Sequence, residues 1–312
     1  MSEHPQALRA KSEPRAQGAF ALPFAALVLG ALAMGASPVF VRLADVGPFA
    51  SAFWRMALAV PVLWAWLAIE QARNRVPALE PRKDARIILL IGFLFAGDLF
   101  FWHLAILNTS IANATLLATT APLVVAFGAW MFLKERITRG IVAGVLSAII
   151  GAVLLVGASA TFTPENVTGD VSGLITACFF GSYFLSVAYA RRRMSAAQVM
   201  FYPAIVSAGF LLIATLMLED RVLPQSLEGI VILCALALIS QIGGQGFAAY
   251  ALGHLQAVFS SLVLFFEVIA ATFLAWVMFA EPVSVWQLGG GLLILAGIYA
   301  ARPKRGQQPA KT

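Results

Sequence analysis

The chain has 312 residues, of which 61% are hydrophobic and only 12% are charged, and its mean hydropathy is +0.87. Soluble domains average about 45–50% apolar and about 25% charged residues, so this composition excludes an ordinary soluble protein. The net charge of +6 comes mainly from lysines and arginines between apolar blocks. This placement indicates membrane topology rather than binding to nucleic acid.

Ten apolar blocks follow one another between a polar N-terminal tail, 1–19, and a polar C-terminal tail, 303–312. A helix of about 20 apolar residues crosses the hydrocarbon core, which is about 30 Å thick. The first block is too long for the apolar region of a signal peptide and is predicted to be a retained span. The predicted spans are 20–41, 48–70, 87–107, 109–133, 138–158, 170–190, 196–218, 227–250, 255–280 and 284–302.

The basic residues divide unequally between the two sides of these spans. Both tails and the even-numbered connections carry 18 of the 21 lysines and arginines, and the opposite connections hold only Arg42 and Arg221. Positively charged connections remain in the cytoplasm. The sequence therefore predicts two cytoplasmic termini, which requires an even number of spans.

An internal repeat has an offset of 146 residues. Without a gap, the offset pairs Trp130 with Trp276 and Glu135 with Glu281, and it also pairs several glycines and alanines of the two copies. Each copy holds five predicted spans. Because five is odd, the second copy enters the bilayer inverted, as in many secondary transporters. The predicted fold is an all-α polytopic membrane protein with ten transmembrane helices in two inverted five-helix repeats, 20–158 and 170–302.

Two matching segments carry a family resemblance, NTSIANATLLATTAPLVVAFGAWMFLKERIT (108–138) and LQAVFSSLVLFFEVIAATFLAWVMFAEPVS (255–284). The first has a mid-span proline, Pro122, then Glu135 just beyond the span end, and spaced glycines follow. With the five-plus-five spans, this pattern resembles the EamA-type transporters of the drug/metabolite transporter superfamily. The resemblance implies a solute exporter of the bacterial inner membrane, similar in kind to exporters of aromatic and other amino acids.

Span 3 contains ionisable residues in GFLFAGDLFFWHLAILN (92–108). Asp98 lies about 16 Å into the span at 1.5 Å per residue. Since a charge there costs at least roughly 2.5–3.5 kcal/mol, it is expected to face a cavity or a cation. Trp102 shares its face, and His103 points about 140° away. Asp98 either pairs with Arg55 of span 2 or handles substrate or protons. Arg55 itself either extends to the outer surface or binds a substrate carboxylate.

Three later spans add polar candidates. Gln241 and Gln245 lie four residues apart in SQIGGQG (240–246), where glycines allow either close helix packing or approach of a ligand. Glu267 of span 9 is a second midplane carboxylate with Ser260 seven residues before it, and it is either a packing residue or a coupling group. Tyr183 belongs to the aromatic residues that can line a cavity. The candidate substrate-binding or coupling residues are Asp98, His103, Trp102, Arg55, Gln241, Gln245, Glu267 and Tyr183.

The expected function is secondary transport by alternating access, exporting small metabolites, with amino acids of broad specificity as the leading class. The expected partners are a small-molecule substrate and the lipid bilayer, with protons as a candidate coupling ion; no cofactor, metal or nucleic acid is expected, and no oligomeric state is assigned. The alternatives within the fold are an exporter of drugs or lipophilic cations and a nucleotide-sugar carrier. An enzyme or a channel is remote, because the chain lacks a Walker A motif, a second mid-span aspartate and a ring of identical polar groups.

Overall fold

The computed structural model describes residues 13–73, 75–109, 111–156, 163–279 and 284–302, and within these ranges it contains helices and no β-strand. The tails 1–12 and 303–312 lie outside the described residues. The helices of the first repeat are α1 (Glu13–Met34), α2 (Ser37–Leu43), α3 (Pro48–Ala72), α4 (Pro81–Asn108), α5 (Ile111–Ala118), α6 (Ala121–Gly128) followed by a π-helical turn (Ala129–Leu133), and α7 (Arg139–Val156).

The second repeat begins after a 3₁₀ turn, Pro164–Asn166. Its helices are α8 (Val167–Ala190), α9 (Ala196–Leu218), α10 (Leu227–Ala235) followed by a π-helical segment (Leu236–Gln245), α11 (Gly246–Leu252), α12 (Ala257–Val263), α13 (Phe266–Phe279) and α14 (Val285–Ala300).

Among the described residues, eight helical segments are long and apolar enough to cross a membrane. Two further apolar helices, Arg139–Leu155 and Val285–Ala300, are shorter than these eight. They fall where the fifth and tenth spans are predicted, and residues 157–158 of the predicted fifth span lie outside the described residues. The structure therefore supports a multi-pass membrane protein, and at the tenth position the helix is shorter than the predicted span 284–302.

Three of the predicted continuous spans are broken in their middle. The first breaks at Gly35–Ala36, the fourth at Thr119–Thr120 and the ninth at Leu264–Phe265. The first two breaks are followed at once by Pro38 and Pro122 in the first turn of the next helix. Proline lacks an N–H and disfavours a helical residue before it, so it starts a new helix. Nothing local in the sequence explains the third break.

Helices α7 and α14 pack antiparallel through glycines. A side chain added at Gly144 would meet the carbonyl of Gly297 at 2.6 Å, and one at Gly151 would meet the carbonyl of Gly290 at the same distance. Small residues of this kind let two membrane helices approach closely. Large apolar side chains cover the outside of the bundle, where lipid replaces water as the surrounding medium, for example Trp64, Phe132, Leu216 and Leu292.

Carboxylates fix the helix ends on both sides of the bundle. Glu135 was expected to cap a helix or to pair with Lys134 or Arg136. It accepts hydrogen bonds from the backbone N–H groups of Ala257 (2.8 Å) and Val258 (3.2 Å) at the start of α12. Burial raises the pKa of Glu135, and these two N–H groups oppose the shift. The capping role is therefore confirmed, with partners from the other repeat.

Candidate functional site

Arg55 lies at the centre of the candidate site. Its guanidinium is 6% exposed and donates to the side-chain oxygen of Gln241 (Nε to Oε1, 2.9 Å) and to the hydroxyl of Ser37 (Nη1 to Oγ, 3.1 Å). The alternative in which Arg55 extends to the outer surface is therefore wrong. A buried guanidinium has five donors in a fixed plane; the two held by protein oxygens orient it and leave the others for a further acceptor.

A second group of polar contacts, between Tyr183, Gln245 and Met34, lies beside the hydrogen bonds of Arg55. The Tyr183 hydroxyl donates to Gln245 (3.2 Å to Oε1), and the Gln245 amide nitrogen lies 3.1 Å from the sulfur of Met34. The Phe95 ring connects the two groups of contacts, because its centroid is 5.7 Å from the Arg55 guanidinium carbon and 4.6 Å from the Tyr183 ring. The prediction placed both glutamines on one face, and the structure brings both into this polar cluster.

Two carboxylates act on Arg55 without touching it. Asp98 and Glu267 both interact electrostatically with the guanidinium and with each other. The salt bridges formed among the described residues join Glu80 and Asp84 to Lys83 and Arg193, near the end of the bundle. The direct pair of Asp98 with Arg55, one of the two alternatives for Asp98, is therefore not formed at salt-bridge distance; the guanidinium is hydrogen-bonded to Gln241 and Ser37 instead.

His103 and Trp102 form a separate contact on α4. His103 is 1% exposed, its Nδ1 lies 2.6 Å from the carbonyl of Leu99, and the indole of Trp102 meets its ring edge-on at 4.9 Å. Because Nδ1 must donate to that carbonyl, Nε2 is the acceptor, and it has no hydrogen-bond partner among the described atoms. The helical spacing predicted that His103 and Asp98 would not share a partner, and the structure gives His103 surroundings of its own.

Ser260 and Glu267, seven residues apart in the sequence, lie in different helices, because the break at Leu264–Phe265 separates α12 from α13. Glu267 lies in the first turn of α13 and is half-buried, while the hydroxyl of Ser260 is buried without a partner among the described residues. The break brings the first turn of α13 against the bend of α1–α2, where the carbonyl of Glu267 lies next to Gly35.

Irregular backbone makes this centre possible. The bend at Gly35–Ala36 places Ser37 at the start of α2, and the π-helical segment Leu236–Gln245 carries both glutamines. Gly244, within that segment, lies so close to Met34 that a side chain there would overlap its Cγ (2.4 Å). π-Helical turns occur often at functional sites, and broken helices at mid-membrane are typical of transporter sites.

Ser37, Met34 and Phe95 belong to the cluster but were not predicted as site residues. The 146-residue offset contained the signal for two of them, since it maps Ser37 onto Tyr183 and Phe95 onto Gln241. The site therefore uses equivalent positions of the two repeats with different chemistry. Met34 has no such signal, because an apolar residue among apolar residues does not stand out.

An apolar groove of about 210 Å³ lies on the outer side of α4, between α8 and α9. Its walls are almost wholly aromatic or aliphatic, and Phe93 and Phe210 at its rim are half exposed. It is separate from the polar cluster and contains none of the predicted site residues. Its lining residues are Phe93, Ala96, Gly97, Phe100, Phe101, Phe179, Phe210, Leu211 and Ala214. Across the part of the chain that the structure describes, no three His, Cys, Asp or Glu side chains form a cluster that could hold a metal ion.

Comparisons with known proteins agree on a membrane transporter. The model of the EamA-like transporter family matches residues 22–157 and again 167–302. The pseudopaline exporter CntI of Pseudomonas aeruginosa is 26% identical over 249 residues, 80% of this chain and 84% of that protein. An uncharacterized transporter of Archaeoglobus fulgidus is 24% identical over 289 residues, 90% of this chain and 97% of that protein. A solved crystal structure with 21% identity has the same fold, with a TM-score of 0.74 over 91% of this chain and 97% of that one.

Proposed function

The chain belongs to the EamA-like transporter family, and on this premise we propose that it exports small zwitterionic metabolites, amino acids above all, with broad specificity that includes aromatic ones. The observation that carries the proposal is the buried guanidinium of Arg55, oriented by Gln241 and Ser37 and flanked by two carboxylates. We further propose ten spans in two inverted five-helix repeats, with the shorter helices α7 and α14 as the fifth and tenth. The membrane is then the bacterial inner membrane.

The charges of the site match a zwitterion. A guanidinium binds a carboxylate with two parallel hydrogen bonds, so Arg55 suits the carboxylate of an amino acid. Asp98 and Glu267 are within electrostatic range of that cation and suit the ammonium group. A zwitterion supplies a counter-charge to Arg55 and to one of the two carboxylates, and a proton on the other carboxylate leaves the site neutral, which matters most in a medium of low dielectric constant.

The aromatic wall of the site supports breadth rather than a single substrate. The rings of Phe95 and Tyr183 lie 4.6 Å apart, and the Phe180 ring lies 6.1 Å from that of Tyr183. Aromatic and apolar walls discriminate weakly, because one methylene is worth only about 1–3 kcal/mol in a hydrophobic pocket. Side chains of different size can therefore share the site once the charged head is held.

The charge count also supports protons as the coupling ion. Without substrate the site has one cation, Arg55, and two carboxylates, Asp98 and Glu267. An unbalanced charge at this depth is costly, so one carboxylate is expected to hold a proton. A zwitterion adds no net charge, so binding of tryptophan should leave that proton in place, whereas indole-3-propionate, which lacks the ammonium group, adds a negative charge and should cause uptake of a further proton.

Competition in proteoliposomes tests the substrate class. Unlabelled phenylalanine, methionine and threonine should each inhibit transport of labelled tryptophan by the purified protein. Arg55→Lys keeps the charge but loses the paired donors, so it should reduce transport strongly, while Arg73→Lys on the exposed end of α3 should not. If tetraphenylphosphonium inhibits transport and the amino acids do not, this proposal is wrong and a drug exporter replaces it.

A nucleotide-sugar carrier is the other alternative within the fold. It would need several cations to bind phosphates, and Arg55 alone lies in the middle of a span.

Topology has its own test. The excess of basic residues on one side, 18 against 2, supports cytoplasmic termini. A reporter enzyme that is active only in the cytoplasm should be active when fused after Thr312. The same reporter fused within the 219–226 connection should be inactive. The opposite pair of results would contradict the orientation, and equal activity at both positions would contradict the number of spans between them.

A further inference from the structure

Two contacts between the repeats occupy equivalent positions but differ in chemistry. The 146-residue offset maps Phe24 onto Asp170 and Asn113 onto Phe259. In the structure the ring of Phe24 stacks on that of Phe259, with centroids 6.1 Å apart. The carboxylate of Asp170 accepts from the Asn113 amide, 2.9 Å from Nδ2 to Oδ1. Each contact joins a residue of one repeat to a residue of the other. The two residues of one contact are equivalent, under the offset, to the two residues of the other contact.

The aromatic contact is extensive. Phe20 stacks on Phe24 at 5.5 Å and also approaches Phe259 at 6.0 Å, and the guanidinium carbon of Arg302 lies 5.3 Å from the centre of the Phe20 ring. Phe259 is 1% exposed. Three rings and a cation from both ends of the chain therefore close the space between α1 and α12.

The polar contact is smaller and directional. Asp170 also accepts from the hydroxyl of Thr109, at 2.8 Å. The neighbouring Gly169 lies against the backbone of Asn108 and Thr109, so closely that a side chain there would overlap them. This contact closes the space between the start of α5 and the start of α8.

The two contacts lie at opposite ends of the bundle. The fourth span runs from α5, near Asp170, to Leu133, and Glu135 just beyond it caps Ala257 at the start of α12. Phe259 lies two residues after that cap. One contact is therefore at the beginning of the fourth span and the other beside its end.

We propose that these contacts are the two gates of the transport pathway, an aromatic gate at Phe20, Phe24 and Phe259 and a polar gate at Asp170, Thr109 and Asn113. The proposal rests on transport by alternating access, in which equivalent parts of inverted repeats close opposite ends in turn. With the proposed topology, the aromatic gate faces the cytoplasm and the polar gate faces outward.

The difference in chemistry gives the gates different tasks. Opening the aromatic gate exposes apolar rings to water, which is unfavourable in proportion to the area exposed. Opening the polar gate exposes a carboxylate, an amide and a hydroxyl, all of which water can hydrate in place of their protein partners. The outward gate is therefore the one that opens more readily, and the cytoplasmic gate is the tighter seal.

A thiol placed in the site reports which gate is open. Ser37→Cys, in a chain whose native cysteines are changed by Cys178→Ser and Cys234→Ser, is treated with a membrane-impermeant methanethiosulfonate in right-side-out and in inside-out vesicles. Phe259→Ala should raise the labelling rate from the cytoplasmic side about tenfold, which corresponds to a shift of about 1.4 kcal/mol in a two-state equilibrium. Asp170→Ala should raise it from the outer side by a similar factor.

Matched controls separate gate opening from general loosening. Phe273→Ala changes a ring on the outer surface of α13, and Asp220→Ala changes an exposed carboxylate; neither should alter labelling from either side. If Phe259→Ala fails to fold, Phe24→Ala removes the other ring, and Thr109→Val removes one donor of the polar gate without removing Asp170.

The labelling assay contains no substrate, so a wrong substrate class leaves its result readable. The gates are contradicted if both alanine variants raise labelling from the same side. They are equally contradicted if folded variants leave the rate unchanged, or if the thiol is unreactive from both sides in every variant.

Discussion

The hydroxyl of Ser147 donates a hydrogen bond to the carbonyl of Leu293, at 2.8 Å, and Leu293 is the residue onto which the 146-residue offset maps Ser147. The neighbouring contacts are reciprocal. Gly144 lies against Gly297, and their equivalents under the offset, Gly290 and Gly151, lie against each other. A residue touches its own equivalent only beside a two-fold axis. These contacts therefore support the proposed inverted repeats and indicate that their axis passes between α7 and α14.

The first prediction concerns this crossing. Gly151→Ala would place a methyl group 2.6 Å from the carbonyl of Gly290 and 2.9 Å from Ile294. Because that carbonyl belongs to a helix backbone, the helices must separate, and the loss of stability should be about 1–3 kcal/mol. The measurement is thermal unfolding of the purified protein in detergent.

Gly289 provides the control on the other side of the crossing. A side chain added there meets nothing within 4 Å, and alanine is favoured over glycine inside a helix by roughly 0.5–1 kcal/mol. Gly289→Ala should therefore leave stability unchanged or raise it slightly. Equal losses in both variants would contradict the close crossing as the cause, because helix propensity favours alanine at both positions.

Most of the fold was predictable because its signals are local or periodic. Long apolar blocks define membrane helices directly, and the repeat follows from aligning the chain with itself. The breaks were less accessible. Pro38 and Pro122 indicate two of them only when their neighbours already form a helix, and no residue near Leu264–Phe265 marks the third break.

The sequence predicted several residues of the site but not their contacts. Charged and amide side chains within apolar blocks need polar surroundings inside the protein, so Arg55, Asp98 and Gln241 could be named from the sequence. Their partners depend on how distant helices meet: Gln241 is 186 positions from Arg55 in the chain. Helical spacing within a single span carries no information about such contacts, and for this reason the bonds of Arg55 to Gln241 and Ser37 were not predicted.

The second prediction concerns the start of α3. Glu219 accepts from the backbone N–H groups of Phe49 (2.7 Å) and Ala50 (3.0 Å), which no helical carbonyl can satisfy. Glu219→Ala should therefore destabilise the protein by about 0.5–2 kcal/mol, as loss of a helix cap does. Asp220→Ala, at the next and exposed position, should have no effect on the melting temperature. Similar losses in the two variants would contradict the capping role.

The third prediction is a pH dependence at Asp45. Its carboxylate accepts from the hydroxyl of Ser226 (2.8 Å) and from the N–H groups of Gln225 and Ser226. The Ser226 hydroxyl contributes most to lowering the pKa of Asp45 below its ordinary value of 3.8. A depressed pKa in the folded state means that the carboxylate stabilises the protein above pH 3.8 and that this contribution is lost as the pH falls through the folded-state pKa.

Asp45→Asn isolates this contribution. The variant should melt below the wild-type protein at neutral pH, and the difference between the two should shrink as the pH falls below 4. Asp220→Asn, at an exposed position, should show no such convergence. A difference that is constant from neutral to acid pH would mean that Asp45 acts by shape and not by charge.

The last prediction decides between two roles of Asp98. Its carboxylate lies at 8% exposure within electrostatic range of Arg55, but the guanidinium is hydrogen-bonded to Gln241 and Ser37. If Asp98 formed a structural ion pair, removing one partner would lower the free energy of unfolding by about 3–5 kcal/mol.

If Asp98 serves transport, Asp98→Asn should melt close to the wild-type temperature, as should the exposed control Glu228→Gln. The variant should nevertheless transport tryptophan poorly. Its remaining transport should also lose its dependence on pH, because Arg55 and Glu267 alone are already balanced and the site no longer needs a proton. A large fall in melting temperature with normal transport and normal pH dependence would assign Asp98 to structure and leave Glu267 as the coupling carboxylate.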